Sequence, residues 1–395
     1  MNQIARISFF SIALFGLLLF PQRAQSQWAL LDARADTIVR RGLEAMYNLR
    51  YPQADSIFNS MIKLYPDHPA GYFLLALVDW WRIVPNIDVD SKVDRYSESF
   101  NKRIDRTLQI CEDRLDKNPI DIVGLFFKGS ALGYRARLNV SKNFSPSTLG
   151  AITDGKEAYE IILQCQRMAP SNSDVLLGSG LYNYMAAYIP QQYPWASSFI
   201  SFLGPGDRQL GIQMLRISGK RAAYANVEAR YSLMEILSNF EKDYPAGLDV
   251  AKELYTQYPF NPVFHKYLAK NYYMTNDFTN ADSAWTEILR RVKRHTPGYE
   301  ITLARQGLYY LGDIRLREGK LDDARRFFEQ AARQSERIGE DETSWIVQST
   351  LKLGNVYDAL GDRKKAIDQY EEVLDMEEYS NSHTKAKGFI AAPYR

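Results

Sequence analysis

Residues 42–66 read GLEAMYNLRYPQADSIFNSMIKLYP and define the pattern on which the rest of the chain can be placed. The stretch opens on Gly42, and the positions that define it follow after 12, 16, 19 and 24 residues: Ala54, Phe58, Met61 and Pro66. A residue without a side chain lets two helices approach closely, an i, i+4, i+7 apolar spacing marks one buried helix face, and a proline ends a helix. The stretch therefore predicts two antiparallel helices joined by a short turn.

The same spacing recurs along the chain. A proline is followed ten residues later by a small residue at four joints: Pro66/Ala76, Pro119/Gly129, Pro170/Gly180 and Pro259/Ala269. Two further units near the C-terminus repeat most of the pattern: Gly312, Gly319, Ala324, Phe328 and Ala331, then Gly354, Tyr357, Gly361, Ala366, Tyr370 and Val373. Internal repeats of this kind indicate a stack of similar helix pairs that bury a continuous core.

This pattern resembles the tetratricopeptide repeat, a 34-residue helix-turn-helix unit. The units are longer here, because Pro66, Pro119 and Pro170 are separated by 53 and 51 residues. We expect the additional residues to lengthen helices or to form turns at 84–97 and 139–150, where Pro, Ser, Asp and Asn are frequent. The resemblance implies an all-α solenoid of six to eight helix pairs in a right-handed superhelix, each pair contacting only its neighbours.

Residues 1–26 have the composition of a signal peptide. Arg6 precedes an apolar run at 7–20, and Ala24 and Ser26 place small residues three before and one before a cleavage site. The run is short for a bilayer core of about 30 Å, although an uncleaved N-terminal anchor is the alternative. We therefore predict an exported protein, periplasmic or secreted, that is cleaved after Ser26.

The predicted organisation beyond the signal peptide has three parts. N-terminal helical repeats occupy 27–172, an uncharged apolar insertion lies within 173–225, and C-terminal tetratricopeptide repeats occupy 226–395. No charged residue lies between Asp174 and Asp207, although 24% of the chain is charged.

Two prolines divide this uncharged stretch. We expect a helix to about Tyr188, a break at Pro190 and Pro194, and a short apolar helix that restarts near Trp195. Asp207 is expected to cap the following helix.

Two interpretations of the short apolar helix remain open. It either plugs the concave face of its own solenoid or presents aromatic side chains to a partner or a membrane interface: Trp195, Phe199 and Phe202. The plug is favoured, because apolar helices in soluble proteins are usually buried.

Part of the chain, about 173–235, resembles the inclusion-body-clearance family of tetratricopeptide-repeat proteins. The resemblance rests on short segments in the same order: GLYN at 180–183, FLG at 202–204, GDR at 206–208, and GI at 211–212 through Leu215. Members of that family are eukaryotic, and at least some are associated with mitochondria and aggregate clearance. Because this chain has an export signal, we carry over only the helical architecture.

Charge and histidine patterns argue against nucleic-acid binding and against a metal site. The formal charge of +2 comes from Arg6 and Arg23, so residues 27–395 carry equal numbers of basic and acidic residues. None of the four histidines has a second histidine or cysteine at the spacing of a zinc ligand pair. His68, in an inter-repeat turn, is expected to face water.

The remaining chemistry indicates a protein that is not an enzyme. No grouping of nucleophile, base and orienting residue is recognisable, and neither a catalytic residue nor a cofactor is predicted. Cys111 and Cys165 fall at core-facing helix positions, so both are expected to be buried, although a disulfide is the alternative in an oxidising compartment.

The first helix of each unit is expected to line the concave face of the solenoid. Aromatic residues at inward-pointing positions predict a binding groove: Phe73, Trp80, Phe126, Tyr184, Tyr273 and Tyr309. The predicted function is a non-enzymatic scaffold of the cell envelope that binds a protein or peptide partner. The alternative is a binder of lipid or another apolar ligand that uses this groove and the apolar hairpin, with peripheral membrane contact. Neither the partner nor the oligomeric state follows from the sequence.

Overall fold

The computed structural model describes residues 32–87, 90–142, 149–194, 206–338 and 344–395. In these ranges the chain forms 17 α-helices and no β-strand. The first five pairs are α1 (Ala33–Tyr47) with α2 (Tyr51–Leu64), α3 (Ala70–Ile83) with α4 (Asp90–Lys117), α5 (Ile122–Lys142) with α6 (Leu149–Met168), α7 (Leu176–Gln192) with α8 (Arg208–Arg221), and α9 (Asn226–Glu235) with α10 (Tyr244–Gln257).

Three further pairs and a final helix complete the fold. They are α11 (Pro262–Met274) with α12 (Phe278–Lys293), α13 (Ile301–Arg317) with α14 (Leu321–Ile338), α15 (Ser344–Ala359) with α16 (Arg363–Asp375), and α17 (Ser382–Ala391). Consecutive helices pack against one another along the chain. The predicted all-α solenoid of tetratricopeptide-repeat type is confirmed, and its eight pairs are at the upper end of the expected number.

Glycines lie where the two helices of a pair approach most closely. A Cβ atom at Gly42 would lie 2.2 Å from Cε1 of Phe58, and one at Gly354 would lie 2.3 Å from Cε1 of Tyr370. A Cβ atom at Gly180 would lie 3.0 Å from the carbonyl oxygen of Gly211. Real Cβ atoms do not come as close as the distances at Gly42 and Gly354, and the contact at Gly180 would be tighter than is usual, so glycine suits these crossings, as the repeat spacing predicts.

Local signals fix several helix ends. Asp207 caps α8 as expected, since its side chain accepts a hydrogen bond from the backbone N–H of Leu210 at 2.9 Å. The turns that end α13 and α15 contain Gly319 and Gly361, whose φ angles are 72° and 78°. Glycine takes up this left-handed conformation without the steric penalty of other residues, which explains the sharp reversal inside these two units.

Two of the expected turns are shorter than predicted. Helix α4 begins at Asp90, inside the predicted turn at 84–97, because Val93, Ser97 and Phe100 form a buried face at helical spacing. Helix α5 continues to Lys142 and α6 begins at Leu149, inside the predicted turn at 139–150.

The predicted break at Pro190 is also wrong. Helix α7 continues through this proline to Gln192. A proline removes one backbone donor and clashes with the preceding turn, and the helix does end two residues after Pro190, before Pro194. The peptide N–H of Tyr193 still donates to the carbonyl oxygen of Ile189 at 2.8 Å.

The solenoid closes on itself, so the expectation that each pair contacts only its neighbours is wrong. The hydroxyl of Tyr47 in α1 donates to Oε1 of Glu228 in α9 at 3.1 Å, and Tyr224 hydrogen-bonds to Asp36. Nη1 of Arg40 donates to the carbonyl oxygen of Ala223 at 3.3 Å. The first and fifth pairs therefore meet, and we call pairs one to five, residues 33–257, the amino-terminal ring.

The last three pairs continue from the ring: the first helix of the sixth pair packs into the core of the ring through Phe264 and Leu268, and smaller cores follow. The second helix of each of these pairs buries an alanine and an aromatic residue four positions later: Ala281 and Trp285, Ala324 and Phe328, Ala366 and Tyr370. Helix α17 closes the end of the stack, and Arg363 donates to the carbonyl oxygens of Phe389 and Ile390. Among the helices that the structure describes, none is long and apolar enough to cross a membrane.

Candidate functional site

A partly open cavity of about 610 Å³ lies within the amino-terminal ring. Its wall comes from the first helices α1, α3, α5, α7 and α9, together with α6. Most of the lining is aliphatic or aromatic, as these examples show: Val39, Leu43, Phe73, Leu77, Phe126, Phe127, Leu181, Met185, Ile236 and Phe240. Pockets that hold small molecules are commonly about 300–1,000 Å³ and mostly apolar, so this cavity has the size and surface of a ligand site.

Small residues on neighbouring helices create the space. Helix α5 contributes Gly129, Ser130 and Gly133, and helix α6 contributes Gly155 and Ala158. A Cβ atom at Gly155 would have no atom within 4 Å. Because this glycine relieves no close approach, it leaves open volume beside the wall of the cavity.

Glu228 of α9 joins three helices at the wall of the cavity. Its carboxylate accepts from the hydroxyl of Tyr47 at 3.1 Å, from Nε1 of Trp81 at 2.5 Å and from the hydroxyl of Tyr134 at 2.8 Å. The side chain is almost entirely buried, and burial raises the pKa of Glu228 even though the three donors lower it. The carboxylate therefore links α9 to α1, α3 and α5 and holds the ring closed.

Arg137 of α5 lies beside this carboxylate in the cavity wall. Its guanidinium lies over the rings of Trp80 and Tyr231, 4.9 and 5.2 Å from their centroids. Nη2 donates to Oε2 of Glu235 at 2.6 Å, and Nη1 is 3.4 Å from Oγ of Ser232. Burial lowers the pKa of Arg137, and the carboxylate of Glu235 raises it. The net result is a pKa above the ordinary value of an arginine. The cation is therefore held rigidly at one side of the cavity.

Asp174 anchors the beginning of α9 on the same wall. Its carboxylate accepts from the backbone N–H groups of Ala223, Tyr224 and Ala225 at 3.3, 2.8 and 2.8 Å. Burial raises the pKa of Asp174, and the three backbone donors lower it. The N-terminal end of a helix favours negative charge, so this contact fixes the helix that carries Glu228.

The predicted groove residues are distributed between three environments. Phe73 and Phe126 line the cavity. Trp80 and Tyr184 are fully buried in the core, and a contact between them and a partner would require that core to open. Tyr273 and Tyr309 lie outside the ring, where Tyr273 hydrogen-bonds to Asp313 and Tyr309 packs edge-on against Trp345.

The predicted apolar contact residues lie outside the described residues: Trp195, Phe199 and Phe202. The two interpretations of that segment, buried plug or exposed contact, both stay predictions.

Three polar residues of the cavity wall were not anticipated from the sequence: Arg137, Asp174 and Glu228. No local signal singles out Glu228, because polar residues alternate with apolar ones along α9: Asn226, Arg230, Ser232 and Glu235. The burial of Glu228 depends instead on its distant partners Tyr47, Trp81 and Tyr134.

His68 and the cysteines have structural positions. His68 is 2% exposed, with Nδ1 accepting from the backbone N–H of Ala70 at 3.2 Å and the ring packed edge-on against Phe127, so the expectation that it faces water is wrong. Cys111 and Cys165 are buried and unbonded, and burial raises the pKa of each thiol to about 12. No group of histidine, cysteine, aspartate or glutamate side chains in the described ranges could hold a metal ion.

Comparison with protein families identifies part of the chain. Residues 268–337 and 303–378 match models described as tetratricopeptide repeat. The chain is therefore a tetratricopeptide-repeat protein in this region, a class that generally binds protein or peptide partners, and neither match is to an enzyme. Neither match covers 173–235, so the resemblance to the inclusion-body-clearance family has no support beyond the residues that suggested it. No curated protein sequence matches the chain.

Solved structures show distant similarity over most of the chain. Yeast Tom70 is 12% identical, with 88% of this chain and 86% of that chain covered at a TM-score of 0.38. Human IFIT1, solved as a dimer with PPP-AAAA, is 14% identical, with 89% of this chain and 96% of that chain covered at a TM-score of 0.32. Scores at this level carry no functional inference.

Proposed function

We propose that the protein is a non-enzymatic scaffold of the cell envelope whose amino-terminal ring binds an apolar ligand. The cavity of about 610 Å³ is the observation that carries this proposal. Gly155 keeps part of this space open, because a Cβ atom there would have no atom within 4 Å, and a larger apolar residue would fill the space and remove water-accessible apolar surface. An open apolar volume lowers stability unless a ligand occupies it, so its presence favours a binding role.

The test compares two glycines of the same helix. Gly155→Leu places a side chain in the cavity without a clash at Cβ, and Gly150→Leu is the matched control, because a Cβ there also has no atom within 4 Å and Gly150 is exposed and does not line the cavity. Gly155→Leu raises helix propensity by about 1 kcal/mol in the interior of α6, and Gly150→Leu by less in its first turn, so neither is expected to unfold the protein.

Binding is measured by the fluorescence of N-phenylnaphthylamine, an uncharged apolar probe. The wild type and Gly150→Leu are expected to bind the probe, and Gly155→Leu is expected to lose at least about tenfold in affinity, because its side chain occupies the same volume. Equal affinity of all three proteins would contradict the proposal.

A second candidate function is the binding of a protein partner by the last three helix pairs. The tetratricopeptide-repeat matches at 268–378 favour it, since such repeats generally bind proteins or peptides. Tyr273 and Tyr309, the two predicted groove residues in this region, are each partly exposed on a first helix. Crosslinking in the native host followed by peptide mapping is expected to place partner crosslinks within 262–375. Crosslinks confined to 33–257 would contradict it.

Export to the cell envelope is part of the same proposal. The charged start, the apolar run at 7–20 and the small residues Ala24 and Ser26 support it. A location outside the cytoplasm would bring the ring into contact with envelope lipids and apolar metabolites, which are the ligands that its cavity fits by size and surface.

A further inference from the structure

Four polar residues of the cavity wall lie together. Glu228, Ser232 and Glu235 are spaced four and three residues apart on α9 and share one face of that helix. Arg137 projects from α5 and reaches Glu235 and Ser232 on the same face. We call these four residues the polar strip. A ligand in the cavity would meet apolar side chains along most of its length and hydrogen-bonding groups at one end.

The charges around the cavity already have partners. Arg137 is the only lysine or arginine among the described lining residues, and it is paired with Glu235 at 2.6 Å. Asp174 accepts from three backbone N–H groups. Glu228 accepts from two tyrosine hydroxyls and one indole N–H. A charged ligand head would either compete with these contacts or remain unpaired beside apolar walls, and both cost free energy.

Hydrogen-bonding capacity nevertheless remains in the polar strip. Oε2 of Glu228 accepts from Tyr134 alone, and a carboxylate oxygen has about two acceptor sites. In the described part of the chain, Arg137 uses only Nη1 and Nη2, while a guanidinium carries five N–H donors. A ligand head that both donates and accepts could therefore hydrogen-bond to Glu228 and Arg137 together.

We propose that the cavity takes an amphipathic ligand with a single apolar chain or ring system and an uncharged hydroxyl or amide head, seated on the polar strip. This inference rests on the proposed ligand-binding function of the ring. Fatty acids and alkylamines fit the same apolar volume, but a carboxylate head would lie next to Glu228 and Glu235, and an ammonium head would compete with Arg137 for Glu235. Head-group charge, and not chain length, is expected to determine which ligands the ring selects.

The test uses three compounds that share one alkyl chain and differ in the head: dodecanol, dodecanoate and dodecylamine. Each is titrated below its aggregation concentration against the full-length protein loaded with N-phenylnaphthylamine. Dodecanol is expected to displace the probe at a concentration at least about tenfold lower than dodecanoate, whose head meets two carboxylates, and at a lower concentration than dodecylamine, whose head would disturb the Arg137–Glu235 pair. Equal or stronger displacement by dodecanoate or dodecylamine would overturn the inference.

Glu235→Gln provides a second measurement. The substitution keeps the shape of the side chain and removes the charge that compensates Arg137. The ratio between the concentrations of dodecanoate and dodecanol that displace the probe is therefore expected to fall by about tenfold. An unchanged ratio would overturn the assignment of the head to the polar strip. A melting temperature close to that of the wild type establishes that the variant is folded.

The outcomes separate this inference from the proposed function. If Gly155→Leu abolishes probe binding but the three compounds compete equally, the cavity binds ligands and only the head-group inference fails. If Gly155→Leu binds the probe as the wild type does, the probe lies elsewhere and both the function and the inference fail.

Discussion

Replacing Glu228 by alanine is expected to weaken the closure of the amino-terminal ring. The substitution removes the acceptor for three buried donors, the hydroxyls of Tyr47 and Tyr134 and the indole N–H of Trp81. An unpaired buried donor costs about 1–3 kcal/mol. The adjoining cavity can admit water to these groups, so the lower bound applies to each, and the total is about 3 kcal/mol.

Thermal unfolding followed by circular dichroism measures this loss. At about 2 °C per kcal/mol for a chain of this size, Glu228→Ala is expected to melt about 6 °C below the wild type. Glu228→Gln is the matched control, because the glutamine retains one acceptor and Tyr134 can rotate its hydroxyl to accept from the new amide. Glu228→Gln is expected to lose only about 1 kcal/mol of unfolding free energy.

The pH dependence of the stability difference between the wild type and Glu228→Gln tests whether the carboxylate of Glu228 closes the ring. Burial raises the pKa of Glu228 in the folded protein above its ordinary value of 4.5. Protonation of Glu228 therefore contributes to the free energy of unfolding fully below pH 4.5, and this contribution is lost as the pH rises through the folded pKa. Glu228→Gln cannot lose a proton. The wild type is therefore expected to lose stability relative to Glu228→Gln as the pH rises above 4.5. A Glu228→Ala variant as stable as the wild type, or a pH-independent difference for Glu228→Gln, would refute the closing role.

Three further predictions concern the repeat frame, export and the uncharged stretch. Gly354→Leu is expected to lower stability by about 1–3 kcal/mol through overpacking against Tyr370, whereas Gly388→Leu, where a Cβ has no atom within 4 Å, leaves the melting temperature nearly unchanged; equal melting temperatures would refute this placement. Ala24→Arg is expected to block removal of residues 1–26, and N-terminal sequencing of the wild-type native protein that returns Met1 would refute the predicted export. Phe199→Asp is expected to destabilise the protein strongly if 195–205 is a buried plug, and normal stability with lost partner or liposome binding would favour the exposed contact instead.

The repeat units could be predicted from the sequence because their signals are local. A glycine, an i, i+4, i+7 apolar face and a closing proline specify one helix pair, as residues 42–66 show, and the same spacing predicted Gly180 and Gly354 at helix crossings. Capping by Asp207 depends on only four consecutive residues and was predicted for the same reason.

The closed ring and its cavity could not be predicted, because they depend on contacts between distant parts of the chain. Glu228 and Tyr47 are 181 residues apart, and nothing in the repeat spacing states how strongly successive pairs curve. Phe73 and Phe126, two of the predicted groove residues, line the cavity. The repeat spacing could not show that Trp80 and Tyr184 would be covered, since closure of the ring decides their exposure.

The central claim is that the closed ring holds an apolar ligand, and native mass spectrometry of the protein purified without detergent tests it most directly. Wild-type protein and Gly150→Leu are expected to carry a bound small molecule that organic extraction releases and that is apolar with an uncharged head. Gly155→Leu, with its side chain in the cavity, is expected to carry none. The same ligand mass on all three proteins, or no bound mass on wild-type protein that also fails to take up N-phenylnaphthylamine, would contradict the claim.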